Sequence, residues 1–255
     1  MAACDEADAV ALGGFRQDMV ITRKPDRTFV TEVDQEIERR LRDRITASHP
    51  GHGLVGEEYG EEAGASDVRW YLDPIDGTHN FLRGVPVFAT LVAVEREGEL
   101  QAAVISAPAL GARWFGWRGG GAWAIAPGAS GARRLAVSRV AALSDAQLLY
   151  GEGPAIEASG VAPGFRGLMA AAWRTRGFGD FWGYTLVAEG AAEAMIEVGL
   201  SPWDIAAPML LVEEAGGRVT DLAGTRSLTT KNYLASNGLL HEELRTSLLT
   251  PPTNG

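Results

Sequence analysis

The sequence predicts a layered α/β chain, and three observations carry that expectation. The segment TEVDQEIERRLRDRITAS places Val33, Ile37, Leu41 and Ile45 at spacing four, one face of an amphipathic helix. The stretch VPVFATLVAVEREGELQAAVISAPAL sets two apolar runs around a charged turn at Glu97-Gly98, the pattern of a hairpin. In the second half, strand-like and helical segments alternate through AQLLYG, APGFRGLMAAAWR, LVAEGAAEAMIE and DIAAPMLLVEEAGG, as layered α/β chains do.

The remaining elements follow from punctuation. HPGHG breaks the chain after the first helix, and LVGEEYGEEAG reads as a short strand running into an acidic loop. VRWYLD is a second strand, ending at Asp73, where Pro74 fixes a turn and Gly77-Thr78-His79-Asn80 opens a helix. ARWFGWRGGGAWAI fits strand, tight turn, strand. The small, turn-rich APGASGARR marks a boundary. The expected organisation is an N-terminal α+β subdomain, residues 1–140, and a C-terminal α/β subdomain, residues 141–255, which includes Asp204. Pro208 follows Asp204 closely and is tolerated best if its helix begins at that aspartate rather than at Ser201.

Composition narrows the function. Apolar content of 46% and charged content of 22% suit a packed chain rather than a disordered one. A net charge of -10 argues against a nucleic-acid partner and suits a protein that gathers cations. Cys4 is the only cysteine, which excludes an intrachain disulfide and a thiolate metal cluster. The start MAACDEADAV lacks the basic and apolar parts of a signal peptide, and no apolar run reaches membrane-span length. The expectation is a cytoplasmic protein without a membrane partner.

The chemistry centres on WYLDPIDGTHNF, Trp70 to Phe81. Two aspartates three apart repel each other unless something offsets the charge. Either Asp-Pro-Ile-Asp-Gly is a turn in which Asp76 caps a helix, or Asp73 and Asp76 hold Mg²⁺ through hard oxygens. In the second case the helix start beside them offers N–H groups to a phosphate. Glu57 and Glu58 of VGEE, and Asp204 of SPWDIAAPMLLVEEAGG, read singly as solvated surface and as a helix cap. Taken together, Glu57, Asp73, Asp76 and Asp204 supply four carboxylates from three elements, enough for two or three divalent ions. No Cys-x5-Arg loop, Gly-x-Ser-x-Gly elbow, Asp-x-Asp pair or Gly-x4-Gly-Lys-Ser/Thr loop occurs, and His49, His52, His79 and His241 form no zinc pattern.

GEE, DPIDGTHNF and WDIAAPMLLVEEAGGRVTD stand in the order and spacing of the inositol monophosphatase-like superfamily, which the chain resembles from about residue 10 to 245. The resemblance implies an α-β-α-β-α sandwich, a Mg²⁺-dependent and Li⁺-sensitive phosphatase acting on a small phosphate monoester, and a homodimer. It implies that Glu57, Asp73 and the main-chain oxygen of Ile75 bind a first ion, and that Asp73, Asp76 and Asp204 bind a second. Thr78, assisted by Asp34, would orient the attacking water, and the backbone N–H groups of Gly77 and Thr78 would meet the phosphate.

The substrate-facing stretch departs from the inositol pattern. Arg176-Gly177-Phe178-Gly179 is followed by Asp180-Phe181-Trp182-Gly183-Tyr184, acidic and aromatic where inositol monophosphatases carry small residues. That version resembles the histidinol-phosphatase branch, as do KPDRTFVTEVD, NFLRGVPVFATLVAV and SAPALGARWFGWRGGGAW. Asp180 and Glu197 would pair with the ammonium and imidazolium of histidinol phosphate, and Phe181, Trp182 or Tyr184 would pack on its ring. Alternatively Asp180 caps a helix and the aromatics are core. Arg83 reaches either the phosphate or a surface or dimer contact, and Lys24 is expected to face solvent. Hydrolysis of inositol 1-phosphate, or broad-specificity hydrolysis of small phosphate esters within the same superfamily, is the alternative activity, and an inactive binding or regulatory subunit is a third.

Overall fold

A computed structural model of the chain describes residues 1–18, 20–23 and 29–250. Lys24 and the KPDRT part of its motif lie outside the described residues. The chain divides into two compact units. The first comprises Met1–Arg118, Trp123–Arg133 and Pro202–Leu210; the second comprises Gly119–Ala122, Arg134–Ser201 and the chain from Leu211 onward. The segment Pro202–Leu210, which carries Asp204, groups with the first unit.

The elements run α1 (Ala2–Gly14), β1 (Ile21–Arg23), β2 (Phe29–Thr31), α2 (Glu32–Ser48), β3 (Gly53–Gly56), β4 (Gly60–Glu62), β5 (Val68–Asp76) and α3 (Thr78–Leu82). Then come β6 (Ala89–Arg96), β7 (Glu99–Ala107), β8 (Ala112–Trp117), β9 (Gly121–Ile125) and β10 (Arg133–Arg134). These are followed by β11 (Gln147–Tyr150), α4 (Gly153–Ala158), α5 (Ala162–Ala171), β12 (Arg174–Arg176) and α6 (Asp180–Ala188). The chain closes through β13 (Ala194–Val198), α7 (Pro202–Glu214), β14 (Arg218–Asp221), β15 (Asn232–Ser236) and α8 (His241–Leu249). No helix among the described residues is long and apolar enough to cross a membrane.

The first unit is built on a mostly antiparallel sheet of order β10-β9-β8-β7-β6-β5-β3-β4. Strand β3 runs parallel to its neighbour β5, with Gly56 opposite Leu72. The β6–β7 hairpin turns at Glu97 and Gly98, both at positive φ (52° and 78°), the twist that tight hairpins favour. The helical face expected for α2 is the buried one: Val33, Ile37, Leu41 and Ile45 pack with Leu54, Leu72 and Val92 of the sheet. Helix α1 had no counterpart in the periodicity, because its inner face is Cys4, Ala7 and Ala11, side chains too small to give an apolar signal. Arg113 of β8 ties it down through Asp5 (2.8 Å) and Asp8 (2.6 Å).

The second unit holds the sheet β12-β11-β13-β15-β14, in which β11 runs parallel to β12 and β13. Leu148, Ile196 and Leu234 of this sheet pack with Phe165 and Leu168 of α5 and with Leu244 and Leu248 of α8.

Three local expectations change. The loop after Glu57 folds back as β4, antiparallel to β3. Strand β5 does not stop at Asp73 but continues through Pro74 to Asp76. Helix α7 begins at Pro202, which leaves Pro208 inside it, where it removes one helical hydrogen bond.

Candidate active site

The strand continuation explains the Asp-x-x-Asp spacing. Along a strand, residues three apart point to opposite faces. Here Asp73 pairs with Leu91 and Asp76 with Ala89, so β5 advances three residues while β6 advances two. That one-residue bulge restores Asp73 and Asp76 to the same face. It leaves Leu72 and Ile75 together in the core beneath α1 and α2. Pro74 has no N–H for a ladder and is accommodated at the bulge, and its carbonyl accepts from Thr90 Oγ1 at 2.8 Å.

The neighbouring carboxylates arrive from other elements of the same unit. Glu57 follows the last residue of β3 and donates its N–H to the Leu72 carbonyl at 3.2 Å, which seats it beside the Asp73 end of β5. Asp204 stands in the first turn of α7. Asp34 is the third residue of α2 and is buried. Its Oδ2 accepts from Thr31 N (2.8 Å) and Thr31 Oγ1 (2.5 Å), completing a capping box. Sequence reading missed Thr31 as the residue that locks Asp34, although Thr-x-x-Asp before an apolar run is a helix-start signal.

Asp73 is the electrostatic centre. Burial first, and then the charges of Glu57, Asp76, Asp204 and Asp34, raise its carboxyl well above the ordinary carboxylate range. Its Oδ1 is buried without a hydrogen-bond partner. A native fold rarely leaves such an atom orphaned without a functional reason. Burial likewise pushes Asp34 up to about 6, with Glu57 adding to the shift while the Thr31 hydrogen bonds oppose it.

Among the described residues no three His, Cys, Asp or Glu side chains already close on one point at ligand distance. Like charges hold one another apart, so convergence on Asp73 rather than a finished cage identifies the site. The donor set is all oxygen, which suits a hard cation such as Mg²⁺ and not zinc or copper. An orphaned buried carboxylate oxygen amid four acidic neighbours fits such an ion.

Thr78 opens α3, a helix of five residues with Gly77 as its N-cap at φ 84°. Thr78 Oγ1 donates to the Ile75 carbonyl at 2.9 Å and lies 3.5 Å from Asp34 Oδ1. A hydroxyl has one proton, and the shorter contact takes it. Arg83 caps α3 and is exposed.

The residues expected to select substrate lie in the second unit. Asp180 is the first residue of α6, not its cap, and sits at φ +58°, a conformation that aspartate tolerates better than most side chains. Its N–H points at Glu197 Oε1, 3.4 Å away, so the two acidic residues are neighbours. Glu197 is buried, and a Cβ at Gly151 would collide with its carboxylate. Arg176 is exposed on β12, with Nη1 bonded to the Thr175 carbonyl at 2.8 Å. Phe181 and Tyr184 are 1% and 2% exposed and belong to the core, which removes them as ring-packing candidates. Trp182 is half-buried and stacks on Phe178 at 4.8 Å between centroids, a partner that sequence reading did not single out.

Comparison with known proteins gives the family. The Inositol monophosphatase family model matches residues 1–250. The histidinol-phosphatase of Mycobacterium tuberculosis is 43% identical over 96% of this chain and 93% of its own length. That of Streptomyces coelicolor is 44% identical over 94% of this chain and 91% of its own. Among solved structures, the Thermotoga maritima IMPase superposes with a TM-score of 0.85 at 30% identity, covering 97% of this chain and 94% of that one. The chain belongs to the inositol monophosphatase family.

Proposed function

We propose that this chain is a Mg²⁺-dependent phosphomonoesterase that hydrolyses L-histidinol phosphate to L-histidinol and phosphate. The observation that carries the reading is Asp73, a buried carboxylate with an orphaned oxygen on which four further acidic side chains act. Glu57, Asp73 and the Ile75 carbonyl would hold one ion, and Asp73, Asp76 and Asp204 a second, in a family that is metal-dependent. Bound there, divalent cations supply Lewis acidity at the phosphoryl oxygens and lower the pKa of an attacking water. The chain's own residues do the rest. Thr78 Oγ1, its proton committed to the Ile75 carbonyl, accepts a hydrogen bond from the water and aims it at phosphorus. Asp34 Oδ1 takes the proton, held in position by Thr31. The N–H groups of Gly77 and Thr78 meet the phosphate oxygens. As the phosphorus–oxygen bond to the alcohol breaks, the leaving oxygen takes a proton from solvent water and departs as histidinol, while Asp34 returns its proton to solvent.

The choice of ester rests on the names of the relatives and on charge. Histidinol phosphate bears an ammonium and an ionisable imidazole, whereas inositol phosphate offers only hydroxyls. Asp180 and Glu197 are assigned to those cations, with Arg176 as a further substrate contact and Trp182 as the ring-facing aromatic. Li⁺ inhibition and a homodimer belong to the same proposal. A second reading, inositol 1-phosphate hydrolysis, is favoured by the likeness to the Thermotoga maritima IMPase. Phosphate release from the two esters side by side, with Mg²⁺ and with EDTA, separates them. Preference for histidinol phosphate that EDTA abolishes is expected; equal or reversed preference discards the histidinol assignment, and release that persists in EDTA discards the metal.

A further inference from the structure

Glu38, one turn beyond Asp34 on α2, is a fully buried carboxylate that the chemistry above does not use. Its oxygens accept from the backbone N–H of Glu58 (2.7 Å) and of Tyr59 (3.1 Å) and from Arg42 Nε (2.8 Å). Arg42 in turn donates to the Gly60 carbonyl and stands 3.5 Å from Glu62. The turn 57–62 is therefore gripped from the helix at several points directly after Glu57. On the other flank, a Cβ at Gly56 would fall inside the Glu38 carboxylate. Only glycine lets the strand end approach that closely. Glu57 is held between this grip and its own N–H bond to Leu72.

We propose that Glu38 is a positioning residue for Glu57: it fixes the backbone that presents the Glu57 carboxylate to the cation site. The inference rests on the metal reading of that site. Metal ligands are useful only within about 0.2 Å of the required distance, and a backbone pinned by a buried, charge-assisted clamp supplies that accuracy. The same helix then serves the site twice, presenting Asp34 with its first turn and fixing Glu57 with its second.

Glu38→Gln keeps the shape but sets an amide N–H₂ against donors that need an acceptor. Gly56→Ala reaches the same carboxylate from the strand side. The test is Mn²⁺ binding to each purified full-length variant, followed by electron paramagnetic resonance, with thermal unfolding in EDTA to verify the fold and kcat against metal concentration as a second readout. Expected is a 10–100-fold weaker Mn²⁺ dissociation constant, the usual consequence of losing a group that orients a metal ligand, with kcat largely restored at saturating metal. A shift in Gly56→Ala alone supports the clamp if Glu38→Gln does not fold. Folded variants that melt earlier yet bind Mn²⁺ within twofold of wild type make Glu38 merely structural and overturn the proposal. Absence of Mn²⁺ binding by the wild type, or its persistence in Asp73→Asn, refutes the metal reading itself and takes this inference with it.

Discussion

Replacing Asp73 by Asn isolates the electrostatics of the site. In the wild type, burial and four neighbouring charges disfavour the Asp73 carboxylate. A carboxylate with a raised folded-state pKa weakens the fold above that pKa and has no such effect below its unfolded value near 4. The Asn variant lacks the charge, so in EDTA at pH 8 it should melt at or above the wild-type temperature, and the gap should close towards pH 4. Metal reverses the order. A ligand at a hundredfold its dissociation constant stabilises the folded state by about 2.7 kcal/mol. For a chain of this size each kcal/mol moves the midpoint by about 2–4 °C. One ion therefore raises the wild-type midpoint by roughly 5–11 °C, and the Asn variant should lose most of that rise. Differential scanning calorimetry with EDTA and with Mg²⁺ reads both effects. If Asp73→Asn melts far below wild type in EDTA yet keeps the full Mg²⁺ shift, Asp73 is a structural residue and the ligand assignment fails.

Other consequences are as specific. His241 is buried between Thr220 (2.9 Å) and Ser236 (2.8 Å), and burial, assisted by the Arg218 charge, lowers its pKa from 6.5 to about 4. The folded state thus binds fewer protons, so stability is complete above pH 6.5 and declines towards pH 4 by on the order of 3 kcal/mol. Urea unfolding across that range should show this acid limb, and His241→Gln should flatten it. Asp180→Asn should reduce kcat/KM for histidinol phosphate at least tenfold, the worth of one charge-assisted contact, and spare inositol 1-phosphate; equal losses remove Asp180 from substrate selection. Gly164→Ala drives a Cβ into the Ser247 and Leu248 carbonyls where α5 packs on α8, and should lower stability by about 2 kcal/mol; an unchanged unfolding midpoint would mean that α8 shifts freely.

Legibility in the sequence followed the physics of each element. The α2 face and the β6–β7 turn were readable because periodicity and turn residues are local signals. Helix α1 was not, since an inner face of Cys4, Ala7 and Ala11 carries little hydrophobic contrast. The acidic residues of the site were visible as types in a pattern, but the reason for their spacing was hidden. Whether Asp73 and Asp76 share a face depends on the register with β6, and a bulge at Pro74 is a property of two strands together. Glu38 looked like one more charge on an amphipathic helix until the Glu58 and Tyr59 N–H groups were found on it. The aromatics after Gly179 show the same limit. Phe181 and Tyr184 are buried while Trp182 is half-buried, and no local pattern distinguishes the three.

The most direct measurement is an anomalous difference map from crystals of the protein grown with Mn²⁺. A peak bonded to Asp73, with further oxygens from Glu57, Asp76 or Asp204, is the expected result. A map with no peak at Asp73, recorded from crystals of protein that hydrolyses phosphate esters, would contradict the cation site and everything built on it.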